Sequence, residues 1–537
     1  METIDADFIV VGAGSAGCVV AARLSEDPNV KVLLLEAGGR DSNPWIHIPL
    51  GYGKTIADPS VNWCYHTEKQ AGTKNREMLW PRGKVLGGSS SINGLLYVRG
   101  QHQDFDHWRQ LGNRGWAWED VAPYFQRSEG RIGANTAGLH GTDGPLSVSD
   151  ITERHPLCEA YIDAATEIGI PRNQDFNGPV QEGVGYYQTT SKNGRRMSAA
   201  RAFLKPAMKR ANLRVEINAL AERVTFEGRR ATGIVFRQNG RSVTARASRE
   251  VVLCGGAINS PHLLLLSGIG PQAHLAEMGI ETRLHLPGVG QNLQDHYQTR
   301  FAYRCTENFT VNDIMMSWPK MVKTGLQYIF TRTGALTISA GQVGIFARSR
   351  PELELPDVQF HFIVFSSDRP AEGLHKFPGF TQNVCQLRPE SRGEIRLKSV
   401  DPATHAAILP NYLSAELDQR TMIDGLKMCR AMAARPVMRR YIESEYLAGS
   451  HVQSDDELLD YARGFGGTIY HPCGTAKMGS DPMAVVDDAL RVRGVDGLRV
   501  ADASIMPTLV SGNTNAACIM IGEKVSDLIR GRELARA

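Results

Sequence analysis

The sequence predicts an α/β fold in two domains, the first built on a Rossmann-type βαβ unit and the second an α+β domain interrupted along the chain. Three observations carry this reading. A buried-strand pattern at 7–11, a helix pattern with small inner residues at 15–25 and another strand pattern at 30–36 follow one another directly. The chain has 537 residues, more than one hydrophobic core usually organises. Its character changes between about 300 and 461, where amphipathic stretches such as 418–434 mix with alternating ones such as 358–362. Strand and helix patterns return at 498–501 and 515–529. The first domain is therefore expected to comprise 1–155, 197–300 and 462–537, and the second 156–196 and 301–461.

Between these landmarks each segment has its own signal. The stretch 62–100 is rich in Gly and Ser, and Trp80-Pro81-Arg82-Gly83 within it favours extended chain lying along a ligand. From 214 to 252 short β-type runs alternate with turns at Glu227-Gly228 and Asn239-Gly240, as in an antiparallel meander. A core strand is expected at 250–254, followed by Gly255-Gly256 and an apolar helix.

Composition removes several function classes. Lys plus Arg total 60 against 57 Asp plus Glu, with the basic residues scattered, so nucleic acid is not an expected partner. Nine cysteines without a CxxC pair fit reduced thiols in a cytoplasm and no metal site. The first seven residues are acidic and lead into a strand, unlike an export leader, and no apolar run approaches the ~20 residues that span a bilayer. Peripheral membrane contact stays open, since a surface patch need not show in the linear sequence. A GxSxG elbow and an HExxH zinc motif are both absent, which removes the commonest hydrolase readings.

The sharpest motif is Gly12-Ala13-Gly14-Ser15-Ala16-Gly17 between strand and helix, with Glu36 closing the next strand 19 residues after Gly17. Gly12 permits the turn, Gly14 admits a pyrophosphate close to the backbone, and Gly17 lets the helix pack. The helix N-terminus favours the phosphate charge. Glu36 suits the adenosine ribose and repels a 2′-phosphate, so FAD and NAD are both compatible.

Longer motifs add a family resemblance. Residues 83–93, Gly83-Lys84-Val85-Leu86-Gly87-Gly88-Ser89-Ser90-Ser91-Ile92-Asn93, and 256–270, from Gly256-Ala257-Ile258-Asn259-Ser260-Pro261 to Gly268-Ile269-Gly270, resemble the two signatures of glucose-methanol-choline (GMC) oxidoreductases. The blocks His471-Pro472-Cys473-Gly474-Thr475 and Asp502-Ala503-Ser504-Ile505-Met506-Pro507 also fit, so the resemblance covers nearly the whole chain. Among family members the chain is most similar to bacterial FAD-linked alcohol dehydrogenases and choline dehydrogenases.

The resemblance implies a GMC fold and FAD as cofactor. The implied FAD contacts are Gly12, Gly14, Ser15, Ala16, Gly17, Glu36, Ala37, Gly83, Gly87, Gly88, Ser89, Asn93, Gly94, Asp502, Ala503, Asn513 and Thr514. Val224 would touch the adenine through its backbone. Some relatives carry a histidine bonded to the flavin; Ile92 stands there, which implies noncovalent FAD.

His471 is implied as the base for a substrate hydroxyl and Asn513 as its partner at the oxygen, with FAD taking the hydride. Imidazole suits the task, because its ordinary pKa near ~6.5 leaves a neutral base at physiological pH. As an alternative, Asn513 or Asn515 could cap a helix. Trp63 and Tyr470 are candidate pocket walls. Gln342 falls where choline-oxidising relatives carry a glutamate, which disfavours choline. The expected activity is oxidation of a primary alcohol to an aldehyde, with electrons passing to a quinone, a protein or oxygen; choline oxidation is the alternative.

Overall fold

The strand Thr3–Val11 is buried on both faces over its second half, as a near-continuous apolar run requires in a covered parallel sheet. The computed structural model describes residues 3–135, 138–369, 372–532 and 534. Thr3–Val11 pairs in parallel with Val32–Leu35 on one side and with Arg241–Leu253 on the other. The sheet runs Leu213–Glu216, Val32–Leu35, Thr3–Val11, Arg241–Leu253, Arg230–Gln238, Leu220–Glu227.

Arg241–Leu253 serves two neighbours in turn. Its first half continues the antiparallel meander with Arg230–Gln238, and its last three residues pair in parallel with Leu498–Val500. The meander therefore matches the turn signals. The stretch 213–216 instead forms a parallel edge strand on Val32–Leu35. Helices Ser15–Leu24 and Asn515–Arg530 pack together; the first is almost wholly buried, which explains its run of small residues.

The second domain carries an antiparallel sheet in the order Ile442–Leu447, Tyr297–Cys305, Gly379–Gln386, Val358–Ile363, Val343–Ala347, Gly183–Tyr186. Its strands alternate. Phe301, Tyr303, Val384, Phe360 and Phe362 enter a core shared with residues of helices Pro156–Glu167 and Glu416–Ala433. Gln298, Arg300, Asn383 and His361 face a large cavity between the domains.

Near the expected limits at 300/301 and 461/462 the chain contributes strands to the second sheet. Tyr297–Cys305 already belongs to the second sheet, and Gly467–Thr468 pairs with it. The chain crosses between domains just before 297 and just after 468, where Gln294 and Cys473 form a bridge. Both crossings carry the site described next.

Candidate active site

A cavity of about 1200 Å³ runs from the loop after the first strand to the crossing between the domains. Small-molecule sites usually occupy ~300–1,000 Å³, so this one has room for an extended cofactor and a small substrate. At one end Gly12 adopts φ +103°, and a Cβ there would lie 2.5 Å from the Cys254 carbonyl oxygen. A Cβ on Gly17 would lie 1.9 Å from the Gly12 carbonyl oxygen, so this glycine serves packing.

Gly14 differs. Its nearest neighbour would be 3.9 Å away, so protein packing does not demand a glycine, and the spare room belongs to the cavity. Helix Ser15–Leu24 begins there without a side-chain cap, leaving its first N–H groups and positive dipole end for a phosphate.

Around this cradle the other motifs converge. Glu36 accepts from the Ala13 and Gly38 N–H groups at 2.9 and 2.8 Å, and burial pushes its carboxyl up to about 7. Gly88 lies so close to Gly14 that a Cβ would reach its Cα at 2.7 Å, and Gly83 abuts Gly88 in the same way. Asp502 accepts from Ser260 Oγ at 2.5 Å, and from the Gly256 and Ser504 N–H groups, each at 2.8 Å. It thereby ties helix Gly256–Leu266 to the turn Ala503–Ile505.

At the other end stand His471 and Asn513. Asn513 Nδ2 lies 3.1 Å from His471 Nε2, and His471 Nδ1 lies 3.0 Å from His296 Nδ1. His296 Nε2 is 3.0 Å from the Leu387 carbonyl, which can only accept. With neutral rings this chain has one consistent assignment. His296 donates from Nε2 to Leu387 and accepts at Nδ1 from His471, and His471 Nε2 keeps its lone pair toward Asn513 and the cavity.

The surroundings keep both rings neutral. Burial, then His296, His361 and Arg82, hold His471 well below the usual histidine range, and burial lowers His296 to about 4. Asp295 accepts the His471 N–H at 2.7 Å and the Thr468 hydroxyl at 2.5 Å, and also bonds Tyr412. Tyr470 holds φ +73°, a strained conformation for a tyrosine, with its carbonyl accepting from Arg82 Nη2 at 2.5 Å. The segment carrying His471 is thus fixed on both sides.

Most sequence-predicted site residues line the cavity: Gly12, Gly14, Ser15, Ala16, Glu36, Ala37, Gly83, Gly88, Ser89, Ile92, Asn93, Gly94, Asp502, Ala503, Asn513, Thr514, His471, Trp63 and Tyr470. Asn513 is no helix cap; Thr514 takes the N-cap position of Asn515–Arg530. Gly87 sits behind the lining and donates to the Ala13 carbonyl at 2.8 Å.

Two expectations need correction. Val224 is buried in the meander with its N–H donated to Ser267 Oγ at 2.9 Å, and Ala219, Leu220 and Ala221 line the cavity instead. Gln342 turns away from the cavity: its Nε2 donates to the Glu153 carbonyl at 2.8 Å and its Oε1 receives the Cys158 thiol. Gln342 is not among the lining residues, and Ala340 is the nearby residue that lines the wall. Asp295, His296, Gln359 and His361 were not singled out. Each depends on distant segments meeting, which no local motif records.

A Rossmann-type sheet, an uncapped helix behind a glycine cradle, a buried carboxylate at the end of the second strand and a buried histidine across the same cavity fit the class of dinucleotide-dependent oxidoreductases. The GMC oxidoreductase N-terminal family profile matches residues 6–298 and its C-terminal profile residues 389–522. The chain belongs to the GMC oxidoreductase family. It is 44% identical to an alcohol dehydrogenase (acceptor) from Pseudomonas putida over 97% of this chain and 95% of that one. It is also 44% identical to human mitochondrial choline dehydrogenase over 98% of this chain and 90% of that one. A formate oxidase variant from Aspergillus oryzae, solved to examine FAD modification, superposes with a TM-score of 0.93 at 28% identity, covering 99% of both chains. The cofactor of the family is FAD, and the cradle at Gly14 together with the length of the cavity fits it.

Proposed function

We propose that this enzyme oxidises a primary alcohol to an aldehyde, with electrons passing on to a quinone or another acceptor. The observation that carries this reading is the His471–Asn513 pair, 3.1 Å apart on the wall of a cavity that also holds the FAD cradle. Bound FAD supplies the two-electron acceptor. His471 Nε2 takes the hydroxyl proton, and Asn513 Nδ2 donates to the oxygen as charge develops on it. The new imidazolium keeps its Nδ1–H on His296, whose ring is held by the Leu387 carbonyl.

Choline is the alternative substrate, and oxygen the alternative acceptor. Against choline stands the charge of the wall. Its carboxylates are Glu36, Asp502 and Asp58, the last bonded to Asn43 and Ser60; Arg82 bears on His471, and Arg300 also lines the wall. An anaerobic screen of alcohols for flavin bleaching, followed by reoxidation with a quinone or oxygen, tests the reading. Uncharged or anionic primary alcohols should bleach the flavin faster than choline does; choline as the best donor would reverse the assignment.

We further propose that the enzyme meets an anionic lipid surface through helix Trp318–Thr331. Among the described residues no helix is long and apolar enough to cross a membrane, but this one exposes Trp318 at 71%, Ile329 at 60% and Phe330 at 80%. No acidic residue lies between Asp313 and Glu352, while Lys320, Lys323 and Arg332 flank the apolar stripe. Such a helix suits an interfacial position. Met315 and Met316, just before it, line the cavity.

A further inference from the structure

We propose that the substrate is an alcohol bearing a carboxylate several carbons from its hydroxyl, and that Arg300 on the second sheet recognises that carboxylate. This rests on the alcohol reading of the same site. Arg300 pairs across the sheet with Asn383, and Asn383 with His361. All three line the cavity. Strands lie ~4.8 Å apart, so these residues form a polar strip roughly 10 Å wide. Gln359, one step along the strand from His361 on the same face, reaches Asn513 Oδ1 at 3.4 Å. The strip therefore leads from Arg300 to the catalytic pair.

The strip is built but unsatisfied. Among the described residues the Arg300 guanidinium has no hydrogen bond and no ion pair. Asn383 Oδ1, Gln298 Oε1 and both His361 ring nitrogens are buried without partners. The opposite face of the sheet is largely apolar core, and Arg300 is half-buried on the cavity side without a partner among the described residues, so packing of the fold gives no reason for an arginine here. Glu372, the acid that bears on Arg300, is exposed and outside the cavity wall.

The cofactor does not account for this residue. Its phosphates belong at the Gly12–Ser15 cradle, whereas Arg300 stands on the second sheet. Arg369 and Lys376, also on the wall, add positive charge. A planar guanidinium flanked by amide groups matches the fork of a carboxylate.

The test compares 4-hydroxybutyrate, 1-butanol and choline as donors in anaerobic flavin reduction by the FAD-loaded enzyme. 4-Hydroxybutyrate should exceed 1-butanol in kcat/KM by about tenfold or more, as a charge-assisted hydrogen bond provides. Arg300→Leu should bring that ratio to about one, and Arg300→Lys should restore part of it. An equal or inverted ratio in the parent enzyme overturns the proposal, as does a ratio that survives in Arg300→Leu. Calorimetric titration with unreactive butanoate reads the same site without turnover. The parent should bind it and Arg300→Leu should not, with Arg300→Gln as a second variant if the leucine protein misfolds. If no alcohol bleaches the flavin, the alcohol reading fails alone; absence of butanoate binding to the parent overturns the carboxylate site.

Discussion

The proposed role of His471 as a base requires its ring to be neutral, and its surroundings extend the neutral form to lower pH than a water-exposed histidine would hold it. Burial and the nearby His296, His361 and Arg82 disfavour its charged form. Protonation removes the base, and a depressed pKa moves that loss to lower pH. The rate of anaerobic flavin reduction, followed from pH 8 to pH 5, should therefore show no step near the ordinary histidine value of about 6.5. A step there would mean that His471 is solvated or is not the base. His471 was nominated by the block His471-Pro472-Cys473-Gly474-Thr475, and Asn513 by its place relative to that family resemblance; the structure brings the two side chains together. His296 was not, since it meets His471 across 175 residues and looks like any other histidine. Gln342 was nominated by its correspondence with a glutamate of relatives, and such a correspondence says nothing about which way a side chain turns.

The glycine loop divides its work between packing and binding, and two substitutions separate these roles. Gly17→Val would drive a side chain into the Gly12 carbonyl, 1.9 Å from where its Cβ must sit, so the protein should lose several degrees of Tm or fail to accumulate. Gly14→Val has room within the protein and fills the cavity, so the fold should persist while FAD is lost. Thermal melting and the flavin released by acid, which Ile92 cannot retain covalently, measure both. Equal FAD content in parent and Gly14→Val would contradict the cradle. The βαβ unit and the meander were readable because period and turn residues are local signals. The parallel edge strand Leu213–Glu216 was not, because its partner Val32–Leu35 lies far away in sequence. Alternation in Val358–Ile363 was visible as a pattern, but only the assembled sheet turns His361 toward the cavity.

Across the whole molecule, two sheets meet where the chain crosses between domains, and those crossings bring His296 and His471 together. The crossings lie within short paired segments that lack linker composition, so composition alone does not mark them. The exposed helix Trp318–Thr331 beside the cavity predicts sedimentation with phosphatidylglycerol vesicles that weakens with salt and is lost in Phe330→Glu. Sedimentation independent of vesicles would identify the stripe as a contact between copies of the chain. Rapid-mixing anaerobic reduction of the flavin tests the proposal that the second domain's side of the cavity delivers an alcohol to His471 while the first domain holds FAD. His471→Ala should keep its FAD and reduce it about 10² to 10⁴-fold more slowly than the parent with the best alcohol found. Reduction at the parental rate by FAD-loaded His471→Ala would contradict the account.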